Sequence, residues 1–144
     1  MAISQAMATS FKAEILDEVH DLVADTLKIA LFTSSATINA TTAAYSTTNE
    51  VANGNGYATG GVTLANKAVG TAGTSTSGGT AFFDADDPTW TSASFTARGA
   101  LIYNNSASNK AIAVLNFGGD FTVSSGTFRI VFPAAGANAI ITIA

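Results

Sequence analysis

Past Asp25, every apolar run in this chain is short and bounded by turn residues, and that limits its fold more than anything else. Leu27–Thr33 puts Leu27, Ile29 and Leu31 on one face, and Gly60–Val69 alternates Val62 and Leu64 with Thr63 and Ala65. Thr80–Asp84 carries Phe82 and Phe83, and Trp90–Tyr103 reads as one long or bent strand, or two. Ala111–Phe117, Phe121–Ser124, Thr127–Phe132 and Ala139–Ile143 follow. Asn53–Gly56, Gly73–Gly79, Asn104–Lys110, Gly118–Asp120 and Ser124–Gly126 supply the turns, and Tyr103–Ala111 is the best hairpin. About seven or eight strands at this spacing predict an all-β antiparallel β-sandwich or jelly-roll-like domain with one N-terminal α-helix. A single helix cannot supply repeated βαβ crossovers, so an α/β fold is excluded.

The helix is predicted before Asp25. Met7, Phe11, Ile15 and Val19 recur four residues apart and Leu16 and Leu22 widen the stripe, while Lys12, Glu14, Asp17, Glu18 and Asp21 take the other face. Ser4, Thr9 or Ser10 could cap it. With 144 residues the chain fits one domain, a helical arm over 1–24 followed by a sandwich over 25–144. The stripe either packs on the β core or docks on a partner subunit. Met7, Phe11, Ile15 and Val19, with Tyr45 and Tyr57 of the long polar stretch, are therefore the partner-contact candidates. Loops as long as Ala44–Gly61 usually serve function. Thr41–Gly61 is expected to be mobile in the free protein and ordered against neighbours.

Composition narrows the functional classes. Ala, Thr, Gly and Ser make up about half the chain, and only 11% of residues are charged against about 25% in typical domains. With 47% apolar residues this is not the composition of a disordered chain, and it suits a β-rich domain largely covered by neighbours. A net charge of −4 with six scattered basic residues argues against nucleic acid. The first ten residues lack the features of a signal peptide, and Phe128–Ala144 is too broken to span a membrane. A product made in the cytoplasm, with no membrane partner, is expected.

Titratable groups are few. No cysteine is present, and His20 is the only histidine, with Asp17 one helical turn away. Asp84–Asp87 reads as a turn cluster before Pro88; its carboxylates could hold Ca²⁺ only together with loop carbonyls. Asn53–Gly56 lacks the residues of a phosphate-binding loop. A sugar platform would have to come from Tyr45, Tyr57 and Trp90. No catalytic residue, metal ligand or cofactor site is predicted, and no small-molecule substrate.

Beyond these physical readings, the chain carries a sequence signature. A helix at Phe11–Leu22, DTLKIALFTSSAT at Asp25–Thr37, TARGALIYN at Thr96–Asn104, FGGD at Phe117–Asp120 and FPAA at Phe132–Ala135 resemble small virion proteins of tailed bacteriophages. The resemblance spans most of the chain, with Val62–Trp90 contributing least, and its motifs carry no mechanism. It implies a non-enzymatic structural protein, with a capsid cement or decoration protein on the virion exterior as the first placement. Its partners would then be the major capsid protein and itself, as a dimer or trimer. A tail component (tube, terminator or fibre-associated subunit) is the second placement; a glycan-binding module, resting on Tyr45, Tyr57 and Trp90 and not on the resemblance, is the remaining alternative.

Overall fold

The computed structural model describes residues 2–72 and 79–143. The chain forms β1 (Ala6–Met7), α1 (Thr9–Leu16), β2 (Leu27–Phe32), β3 (Val62–Thr63), β4 (Ala68–Ala72), β5 (Thr80–Asp84), β6 (Thr89–Asn104), β7 (Lys110–Arg129) and β8 (Ile141–Ile143). Two antiparallel sheets result, one in the order β1-β7-β6-β2-β3 and one in the order β4-β5-β8. This is the all-β sandwich with one helix that the strand spacing predicts. The Gly73–Gly79 turn, Gly79 excepted, lies outside the described residues.

β2 is the centre of the core. Leu27, Ile29 and Leu31 are buried, and so are Ala30 and Phe32 on its other face, so this strand is covered on both sides. It pairs with β6 from Leu27↔Asn104 to Phe32↔Gly99, which brings the buried run Ala100–Tyr103 alongside. Phe83 and Ile141 of the smaller sheet join the same core together with Leu22.

The helix is shorter than its stripe. It stops at Leu16, where Glu18 takes a left-handed φ of 58° and the Val19 amide donates to the Glu14 carbonyl at 3.0 Å. This is a helix-closing bond of the Schellman type, made without the glycine that usually announces it. The 1–24 arm is therefore mostly not helical. Met7 lies in β1, and Val19 lies in the return segment, where Asp21 Oδ1 accepts the Val23 and Ala24 amides and turns the chain toward β2. The N-cap is Ala8, with no side-chain cap, in place of Ser4, Thr9 or Ser10. The Ala8 and Thr9 amides donate instead to the carbonyls of Ile112 and Ala40.

The second departure lies in β6 and β7. The segments Ala111–Phe117, Phe121–Ser124 and the first half of Thr127–Phe132 are one strand of 20 residues, paired to a single 16-residue β6. The glycine-rich signals between them are bulges, not turns. Phe117, Gly118, Gly119 and Asp120 lie opposite the single residue Arg98, and a further irregularity opposes Ser124 and Ser125 to Ser94. The first bulge divides the hairpin into an inner half inside the large sheet and an outer two-stranded ribbon, Thr89–Ala97 with Phe121–Arg129.

Candidate interaction surface

The outer ribbon carries the most exposed aromatic chemistry of the molecule. Its inner face holds Trp90, Phe95, Val123 and Phe128, aligned by the pairings Trp90↔Phe128 and Phe95↔Val123. Ring contacts run outward from the core: Tyr57 to Trp90 at 6.3 Å, Trp90 to Phe128 at 5.9 Å, Phe128 to Phe117 at 6.0 Å, and Phe117 to Phe121 at 6.2 Å. The ladder begins on buried Tyr57 and ends on Phe121, which is 54% exposed. Phe117, Phe121, Phe128, Ile130 and Val131 line a groove of about 450 Å³ there.

The strand edges beside this groove are treated unequally. The outer edge of β6 is covered, because the Ser94 amide donates to the Asn55 carbonyl of the Asn53–Gly56 turn at 2.9 Å. On the outer side of β7, β1 pairs only with Ala113 and Val114, and Gln5 caps the Asn116 amide. From Phe121 to Arg129 no strand among the described residues pairs with that side. An uncovered edge next to exposed aromatic side chains is a template for another chain.

The long polar stretch is tied down rather than free of the fold. Glu50 accepts the Tyr45 hydroxyl at 2.6 Å, the Tyr57 hydroxyl at 2.6 Å and the Gly60 amide at 2.7 Å. The Tyr57 oxygen accepts the Leu31 amide from β2, and the Tyr103 hydroxyl of β6 donates to the Gly60 carbonyl at 2.7 Å. Tyr45 stacks flat on Tyr103 at 4.4 Å. Burial and then Glu50 push all three phenols above their ordinary range, Tyr103 to about 12. This hub is the reason that Ala44–Gly61 keeps a defined path over β2 and β6.

The predicted contact residues are thus dispersed. Phe11 and Tyr57 are buried in the protein's own core, and Met7, Ile15, Val19 and Tyr45 are half-buried. Trp90 is buried with Tyr57, so the two form no exposed sugar platform. His20 pairs with Glu14 at 2.9 Å rather than with Asp17. In the acidic cluster, Asp87 holds Arg129 and the Phe132 amide, and Asp86 takes the Asn66 amide. No group of three or more metal-ligating side chains forms among the described residues. The sequence reading missed the Phe117–Phe121–Phe128 groove. Its signal was the alternation Phe121, Val123 and Phe128, Ile130, which the Ser124–Gly126 bulge interrupts.

Three carboxyls are held below their ordinary range and set an acid limit. At Glu14 burial opposes the shift, and hydrogen bonds from Lys110 and His20 outweigh it. At Asp25 the Asn104 amide is the main cause, and at Asp87 the Phe132 amide followed by Arg129. Their stabilising contribution is complete above the ordinary carboxyl range, about pH 4, and is lost as pH falls through the lower folded values. The raised phenols act at the opposite limit, and their contribution fades as pH rises above about 10. The urea midpoint is expected to drop as pH falls below about 4 and again as it rises above about 10. A midpoint unchanged from about pH 5 to pH 3 would contradict the acid limb.

Comparison with protein-family models, curated proteins and solved structures finds no match to this chain.

Proposed function

We propose that this protein is a non-enzymatic structural subunit of a tailed-bacteriophage virion, specifically a cement protein bridging major capsid protein subunits on the capsid exterior. The observation that carries the reading is the uncovered β7 edge from Phe121 to Arg129 beside the aromatic groove. A domain that bridges neighbours needs a surface that offers both backbone hydrogen bonds and apolar contact, and this ribbon offers both. The sequence signature supplies the setting. Low charge and a surface rich in Thr, Ala and Ser suit a subunit covered by neighbours, and many copies with modest contacts make a strong network.

One observation favours a second reading, a tail component. The β6–β7 hairpin is long relative to the domain, and an open strand edge can be closed head-to-tail around a ring.

Cosedimentation tests the capsid reading. Purified protein is expected to saturate capsids of the encoding phage that lack it, at a fixed ratio to the major capsid protein. Failure to sediment with such capsids would overturn the reading, and association with isolated tails would establish the second one.

A further inference from the structure

We propose that Glu14, His20, Asn104 and Asp25 form a proton-operated latch holding the N-terminal arm on the β6–β7 hairpin. Asn104 is fully buried at the end of β6. Its Oδ1 accepts the amides of Ser106 at 2.9 Å and Ala107 at 3.1 Å, which fixes the orientation of the side-chain amide. The Asn104 Nδ2 group therefore faces the arm and donates to Asp25 Oδ2 at 2.6 Å and to His20 Nδ1 at 3.0 Å. Nδ1 must then be the unprotonated nitrogen of the ring. Nε2 carries the hydrogen and donates it to Glu14 Oε2 at 2.9 Å.

Among the described residues the ring has two polar partners, Asn104 at Nδ1 and Glu14 at Nε2. The His20 side chain is fully buried, with Phe11 at 5.1 Å between ring centroids. The charged groups around it are Glu14 from α1 and Asp25 from the segment before β2. Behind them, Lys110 of β7 donates to Glu14 at 2.9 Å and Lys67 donates to the Asp25 carbonyl. Asp21 presents its backbone amide to Asp25 and its carboxylate to Val23 and Ala24.

A proton added at Nδ1 points one N–H at another. Asn104 cannot reverse its amide without stripping two amides of the β6–β7 turn and setting Oδ1 against the Asp25 carboxylate. The imidazolium keeps its bond to Glu14, but Glu14 belongs to the same arm and so does not hold the ring on the hairpin. A buried charge with one unpaired N–H is costly, and the relief is for the ring to leave with the arm. Of its ties to the hairpin the arm then keeps the Lys110–Glu14 pair, the two-residue pairing of β1, the Ala8 amide on Ile112 and Gln5 on Asn116, all but the first lying before the helix. The latch stands on these contacts alone, whether or not the virion reading holds.

Nitrogen NMR of the imidazole and hydrogen exchange of the arm test it together. At about pH 7.5 the Nε2–H tautomer is expected. Amide protection over 11–22, corrected for intrinsic exchange, is expected to fall at least tenfold by about pH 5.5 while β2 stays protected. Asn104→Asp turns the donor facing Nδ1 into an acceptor, so its arm should be better protected at the lower pH. Arm protection equal at both pH values in the native protein, or an Asn104→Asp dependence of native sign, would overturn the latch. If Asn104→Asp does not fold, His20→Gln decides, since its neutral amide should make protection independent of pH. A native-like fall in His20→Gln would equally overturn the proposal.

Discussion

Replacing Gly61 by Ala is expected to leave little or no folded protein. Gly61 sits at φ 75°, where the long loop crosses β2. A Cβ there would lie 1.8 Å from the Ile29 carbonyl oxygen, 2.6 Å from its carbon and 2.7 Å from the Ala30 Cα. All three atoms are backbone of a strand paired on both sides, by β3 and by β6, so none can move aside cheaply. The cost should exceed about 4 kcal/mol, most of the net stability of a marginal domain. Gly54→Ala is the control. It also has positive φ, at 107°, but nothing lies within 4 Å of its added Cβ, so only backbone strain of about 1–2 kcal/mol is expected. Soluble yield and urea unfolding separate the two. A Gly61→Ala protein within about 1 kcal/mol of the native one would mean that the loop does not take this path.

The second large effect concerns assembly rather than folding. Phe121→Glu places a charge at the mouth of the aromatic groove, on a side chain already 54% exposed. Its loss from the protein itself is a single ring contact with Phe117, worth about 1 kcal/mol. In an interface the same change removes an aromatic anchor and buries an unpaired carboxylate, so affinity for the capsid should fall on the order of 30-fold. A folded Phe121→Glu protein that decorates capsids as the native one does would remove the groove from the interface.

The sequence made the architecture legible where local signals and tertiary pairing agree. Leu27–Thr33, the Tyr103–Ala111 hairpin and the strand Thr80–Asp84 were readable because alternation and turn chemistry coincide there. The expected strand Gly60–Val69 is instead broken at a left-handed Asn66 into the short β3 and the start of β4. The sequence was silent where one local signal has two tertiary outcomes. Gly118–Asp120 looks like a turn, and only the continued pairing of Phe121 with Ala97 makes it a bulge. The apolar stripe from Met7 to Leu22 looks like one helix, but a left-handed Glu18 ends it and turns His20 inward. The hub around Glu50 gathers Tyr45, Tyr57, Gly60 and Tyr103, and no spacing rule connects the last of these to the rest. The groove at Phe121 was hidden for the same reason, since the edge beside it is defined by which strands do not pair.

Counting this protein in purified virions by quantitative mass spectrometry tests the cement assignment most directly. A copy number comparable to that of the major capsid protein is expected. A handful of copies per particle, or none, would contradict it.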